Sequence, residues 1–76
     1  MNRRYMNCIV ICKEGDQLTK AAKYHDIMNV ESRILAFIRF VKGNPDLPGA
    51  EYINFYYKPE NEHEKGRNYA FRRYIE

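Results

Sequence analysis

The chain has 76 residues, a formal charge of +3 and a sequence pI near 9.0; 45% of its residues are hydrophobic and 30% charged. That balance excludes a disordered chain, and the length excludes two separate cores: a domain of this size buries only about 60% of the surface its unfolded chain exposes, so a partner or a second copy would add to a thin stability margin. The mild positive excess suits a polyanionic partner without requiring one, and the aromatic residues are seven Tyr and four Phe with no Trp.

Residues 4 to 12, RYMNCIVIC, combine β-branched residues with apolar side chains on both alternating sets near the end, the pattern of a central strand covered on both faces. KEGD, Lys13 to Asp16, is a turn by composition, with Gly15 free to take a positive φ. Residues 17 to 28 fit two templates. Leu18, Ala21, Ala22 and His25 have helical spacing with Asp16 as a cap, or QLTKAAKYHDI returns as a second strand with Leu18, Ala22 and Met28 inward. Lys-Ala-Ala-Lys favours the helix, because Ala and Lys are poor strand formers.

The next element is better marked. Asn29 is a good N-cap, and Val30, Ile34, Phe37, Ile38 and Val41 follow at the spacing of one helical face, widened by Leu35 and Phe40. The spacing predicts a helix ending near Lys42, with Gly43 as its stop and Pro45 just beyond. The most apolar run, residues 34 to 41, is interrupted by Arg39 and is too short for a membrane span, and the N-terminus has no apolar signal core; a cytoplasmic protein without membrane contact is expected.

After the linker GNPDLPG come two strand-like runs, AEYINFYYK and RNYAFRRYI, joined by the loop PENEHEKG with Glu60, Glu62 and Glu64. Alternation places Ile53, Phe55 and Tyr57 on one face of the first run and Tyr52, Asn54, Tyr56 and Lys58 on the other. In the second, Tyr69, Phe71, Arg73 and Ile75 share a face, opposite Asn68, Ala70, Arg72 and Tyr74. The expected architecture is a small single α+β domain: a three-stranded sheet, the first strand plus the C-terminal hairpin, packed on one or two helices in the order β-α-α-β-β, with β-β-α-β-β as the alternative. Ile53, Phe55, Tyr69, Phe71 and Ile75 then meet the helix, and Tyr52, Tyr56, Arg72 and Tyr74 form an opposite face with nothing assigned to cover it.

Catalytic and metal chemistry find little footing. Cys8, Cys12, His25 and His63 are the residue types of a zinc site, but positions i and i+4 of a straight strand lie roughly 13 Å apart, so both cysteines read as buried thiols and no metal or cofactor is expected. His25 with Asp26 or His63, and Arg72 or Arg73 to stabilise a phosphorane, lack any supporting spacing, and no phosphate-cradling glycine loop, nucleophile elbow or carboxylate pair is present. A non-catalytic protein is expected.

RNYAFRRY, residues 67 to 74, resembles the first ribonucleoprotein submotif of RNA-recognition-motif domains: Arg67, Tyr69, Ala70, Phe71 and Tyr74 match, while Asn68 stands where the family has Gly and Arg72 where it has an aliphatic residue. The resemblance covers eight residues and implies base stacking on Tyr69 and Phe71 and a backbone contact from Arg67. Two functions follow as expectations. One is binding of RNA or other nucleic acid through a Tyr/Arg sheet face, using Tyr52, Tyr56, Lys58, Arg67, Arg72, Arg73 and Tyr74, joined by Arg4 if the terminal segments converge. The other is a protein-interaction module, an inhibitor or adaptor acting on a larger host defence, toxin or nuclease protein, since Tyr and Arg also dominate protein hot spots. In its small size and lack of motifs the chain resembles bacteriophage accessory proteins, and a homodimer formed through the same face is a further expectation.

Overall fold

The computed structural model describes residues 5–58 and 68–75. The KEGD turn closes a hairpin. Gly15 has φ 63° and Asp16 does not share the positive sign, the pattern of a type II′ loop, whose twist matches that of the two strands it joins. Those strands are β1 (Tyr5–Glu14) and β2 (Gln17–Met28). Helix α1 (Glu31–Lys42) follows, then β3 (Ala50–Tyr57) and β4 (Asn68–Tyr74). The four strands form one antiparallel sheet in the order β2-β1-β3-β4, so the observed succession is β-β-α-β-β.

The expected helix at residues 17–28 and the three-stranded sheet are therefore corrected. Pairing along the whole of β1 overrides the helix preference of Lys20 to Lys23: Ala22 and Tyr24 pair with Val10 and Cys8, and with Ile27 they pack against the core. Leu18, expected inward, pairs with Lys13 and is 60% exposed.

The core lies on one side of the sheet. Met6, Cys8, Val10 and Cys12, the even positions of β1, are fully buried with Ile53 and Phe55 of β3, beneath Ile34, Phe37 and Val41 of α1 and Leu47 of the connection. Each large side chain removed from water in this way stabilises by about 1.5–3 kcal/mol. Tyr24 meets Phe37 and Phe40 edge-on, at centroid distances of 5.2 and 6.0 Å, which fixes the helix over β2. On the β4 side Arg73 donates two hydrogen bonds to the Glu31 carboxylate, of 2.7 and 3.1 Å.

Asn29 is not the N-cap. Val30 holds that position with extended backbone and no side-chain cap, while the Asn29 amide donates to the Tyr57 hydroxyl at 2.8 Å and ties the helix entry to β3. The stop falls at Gly43 as expected, although with φ −91° rather than in the left-handed region. Gly49 is the glycine the backbone requires: φ is 73°, its carbonyl accepts from Lys13 N–H at 2.9 Å, and a Cβ there would sit 2.5 Å from the Lys13 carbonyl oxygen.

Candidate functional site

Among the described residues no helix packs on the other side of the sheet, and its strand register arranges that face in three rows. The first runs His25, Asn7, Tyr56, Tyr69; the second Lys23, Ile9, Asn54, Arg72; the third Ala21, Ile11, Tyr52, Tyr74. None of these twelve residues is acidic. Four are tyrosines gathered on β3 and β4, while Ile9 and Ile11 are half-buried between the strands.

A bulge in β4 builds the aromatic end. The register shifts between Phe55 and Tyr56, so that Phe55 faces Phe71 and Tyr56 faces Tyr69, with Ala70 as the extra residue. Phe71 stays on the core side, stacked on Phe55 at 4.8 Å, whereas Tyr69 is carried to the open face. The expectation that Tyr69 packs in the core is thus corrected, since uniform alternation cannot cross a bulge. Tyr69 and Tyr74 are 57% and 61% exposed.

Arg72 lies within this cluster, over the Tyr52 ring. Its guanidinium carbon is 4.1 Å from the centre of the Tyr52 ring, Nε donates to Asn54 Oδ1 at 2.8 Å, and Nη1 is 3.4 Å from the Tyr74 hydroxyl. The Tyr74 hydrogen bond raises the guanidinium pKa further, so the charge is permanent. Tyr52 and Tyr74 pack at 5.5 Å, which makes the third row and Arg72 one unit.

At the opposite end of the face is a depression of about 80 Å³ lined by Asn7, Ile9, Lys23, His25 and Tyr56, together with parts of Cys8 and Tyr24. His25 Nδ1 is 2.9 Å from Asn7 Oδ1. An amide oxygen only accepts, so Nδ1 carries the proton.

Of the residues singled out from the sequence, Tyr52, Tyr56, Arg72 and Tyr74 come together. Lys58 lies just past β3 with its ammonium on the Asp26 carboxylate, which holds that carboxyl below its ordinary range. Arg73 is taken off the face altogether and pairs with the helix. Alternation already turned it inward, and the Glu31 carboxylate is what receives its charge. Arg4, Arg67 and His63 lie outside the described residues; of the terminal arginines that are described, Arg72 and Arg73 turn to opposite sides of the sheet. Cys8 and Cys12 face the core while His25 faces away, which separates these three would-be metal ligands by the thickness of the sheet.

Asn7, Lys23 and His25 were not assigned to this face from the sequence, and Tyr69, offered as a stacking residue by the submotif resemblance, was turned inward by alternation. Three of them follow once residues 17–28 are a strand paired to β1, because alternation then sends Lys23 outward and brings His25 to Asn7. Tyr69 needed the bulge, for which β4 carries no glycine as a signal. No protein-family model, curated protein or solved structure matches this chain.

Proposed function

We propose that this chain is a non-catalytic nucleic-acid-binding protein of the cytoplasm that grips RNA, or another single-stranded nucleic acid, with the open face of its sheet. The observation that supports this reading is the coincidence, on one open face whose three rows contain no carboxylate, of four tyrosines with Arg72. Bases stack on exposed tyrosine rings for about 1–3 kcal/mol each, and the polyanion meets Arg72 and Lys23 within the rows, while the carboxylates at the ends, Glu51 and Asp26, are paired with Lys13 and Lys58. The test is anisotropy of a labelled single-stranded octamer between 50 and 200 mM salt. Affinity is expected to fall steeply with salt; a protein that shifts neither RNA nor DNA at low salt ends the proposal.

A second reading rests on Ile9 and Ile11, which put aliphatic surface at the centre of the same face and Tyr and Arg beside it, the composition of a protein hot spot. On that reading the chain is a phage-like inhibitor or adaptor docked on a larger protein, or a homodimer closed through this face. A stoichiometric protein retained from nuclease-treated lysate, or a dimer in sedimentation that Tyr74→Glu dissociates, supports the second reading against the first.

A further inference from the structure

We infer that the depression at the β1–β2 end of the face is a phosphate subsite, so that a single strand of nucleic acid lies across the sheet, its bases on the tyrosines of β3 and β4 and a backbone phosphate between Lys23, His25 and Asn7. The inference rests on the nucleic-acid reading and gives it a direction.

Three features of the depression carry it. The hydrogen bond between His25 and Asn7 uses the Nδ1 proton of His25 and the amide oxygen of Asn7 within the pair, so the donors left to the depression are the Asn7 N–H groups and the Lys23 ammonium. The nearest carboxylate along the chain, Asp26, is held by Lys58, where the cation offsets its charge. The first row also joins this depression directly to the aromatic pair: His25, Asn7, Tyr56 and Tyr69 sit on four successive strands, so Asn7 is one strand spacing from Tyr56 and two from Tyr69, about 5 and 10 Å, and the β2 residues lie one spacing further. A base on Tyr56 therefore leaves its neighbouring phosphate over Asn7, on the side from which Lys23 extends.

The experiment uses the whole chain and labelled octamers of oligo-U and oligo-dT, with wild type, Lys23→Gln, His25→Gln, the double variant and Tyr69→Ala. Lys23 and His25 are both exposed, so the folded state survives, as thermal unfolding will show. The double variant is expected to lose affinity several-fold for both oligonucleotides and to flatten the logarithmic salt slope by about 0.7, the value of one phosphate on a single strand. Tyr69→Ala is expected to weaken binding with the slope unchanged. If the double variant keeps wild-type affinity and slope while Tyr69→Ala weakens binding, the subsite is overturned and the nucleic-acid reading stands. Loss confined to oligo-U overturns the phosphate assignment in favour of a sugar hydroxyl, and absence of binding by wild type overturns both.

Discussion

Tyr69 faces Tyr56 across β4 and β3 on the open side of the sheet, ring centroids 5.7 Å apart and planes at 72°, while Phe71 two positions later stacks on Phe55 on the core side. The bulge at Ala70 thus splits two neighbouring aromatics between the open face and the core. Tyr69→Ala is expected to change the unfolding free energy by no more than about 0.5 kcal/mol, because the ring is 57% exposed. Phe71→Ala is expected to cost about 2–3 kcal/mol, less than a fully buried Phe because this one is half-covered. Urea unfolding of both variants, set beside their nucleic-acid affinity, checks the split: loss of affinity belongs to the first and loss of stability to the second.

Much of this arrangement was legible in the residues themselves. The stripe of Ile34, Phe37 and Val41 and the alternation of Ile53 and Phe55 specify the core, and the same alternation sends Tyr52, Tyr56 and Arg72 to one outer face. What was not legible was non-local. Whether Lys20 to Lys23 coil or extend depends on β1, whose unpaired edge must be satisfied by some strand and whose partner carries only Ala22, Tyr24 and Ile27 as inward residues. The bulge at Ala70 depends likewise on how β3 and β4 share their hydrogen bonds, which single-strand periodicity does not record.

The contact between Gly49 and Lys13 anchors the end of β1. Gly49→Ala meets two obstacles together, a φ of 73° and a Cβ 2.5 Å from the Lys13 carbonyl oxygen, which is rigid backbone. A destabilisation of about 1–3 kcal/mol is expected. Its signature is faster amide exchange at Lys13, whose N–H bonds the Gly49 carbonyl, and a variant as stable as wild type contradicts the assigned backbone.

Burial pushes the Cys8 thiol up to about 12, so at neutral pH almost none is thiolate, the form that attacks electrophiles. Cys12 is equally buried. Native protein at pH 8 is therefore expected to react with an aromatic disulfide reagent only as fast as it opens, while both thiols titrate at once in urea. Rapid labelling of the folded protein is the contrary result.

Asp26 has φ 64° and its carboxylate bonds the Lys58 ammonium, which lowers its pKa from the ordinary 3.8. A depressed carboxyl contributes stability that is complete above the unfolded-state pKa and lost as pH falls through the folded-state one. The stability difference between wild type and Asp26→Asn should then be level from pH 7 to about 5, shrink below about 4 and vanish in stronger acid. Asn tolerates the same left-handed backbone, so the comparison isolates the charge. A difference that persists unchanged at pH 2 assigns the effect to backbone geometry instead.

Arg72 separates charge from shape on the open face. Its plane covers one side of the Tyr52 ring and its Nε is committed to Asn54, so only part of the guanidinium is turned toward a ligand. Arg72→Lys keeps the charge but has neither a planar group to lie on Tyr52 nor the fixed Nε donor. With nucleic acid as the ligand, Arg72→Ala is expected to flatten the salt slope by about 0.7, and Arg72→Lys to preserve the slope while lowering affinity at every salt concentration. Tyrosine fluorescence will show whether Tyr52 is released in both variants alike. Should the lysine variant bind as tightly as wild type, the arginine acts as a point charge and its stack on Tyr52 contributes nothing to recognition; should the alanine variant keep the full slope, the phosphate contacts lie elsewhere on the face.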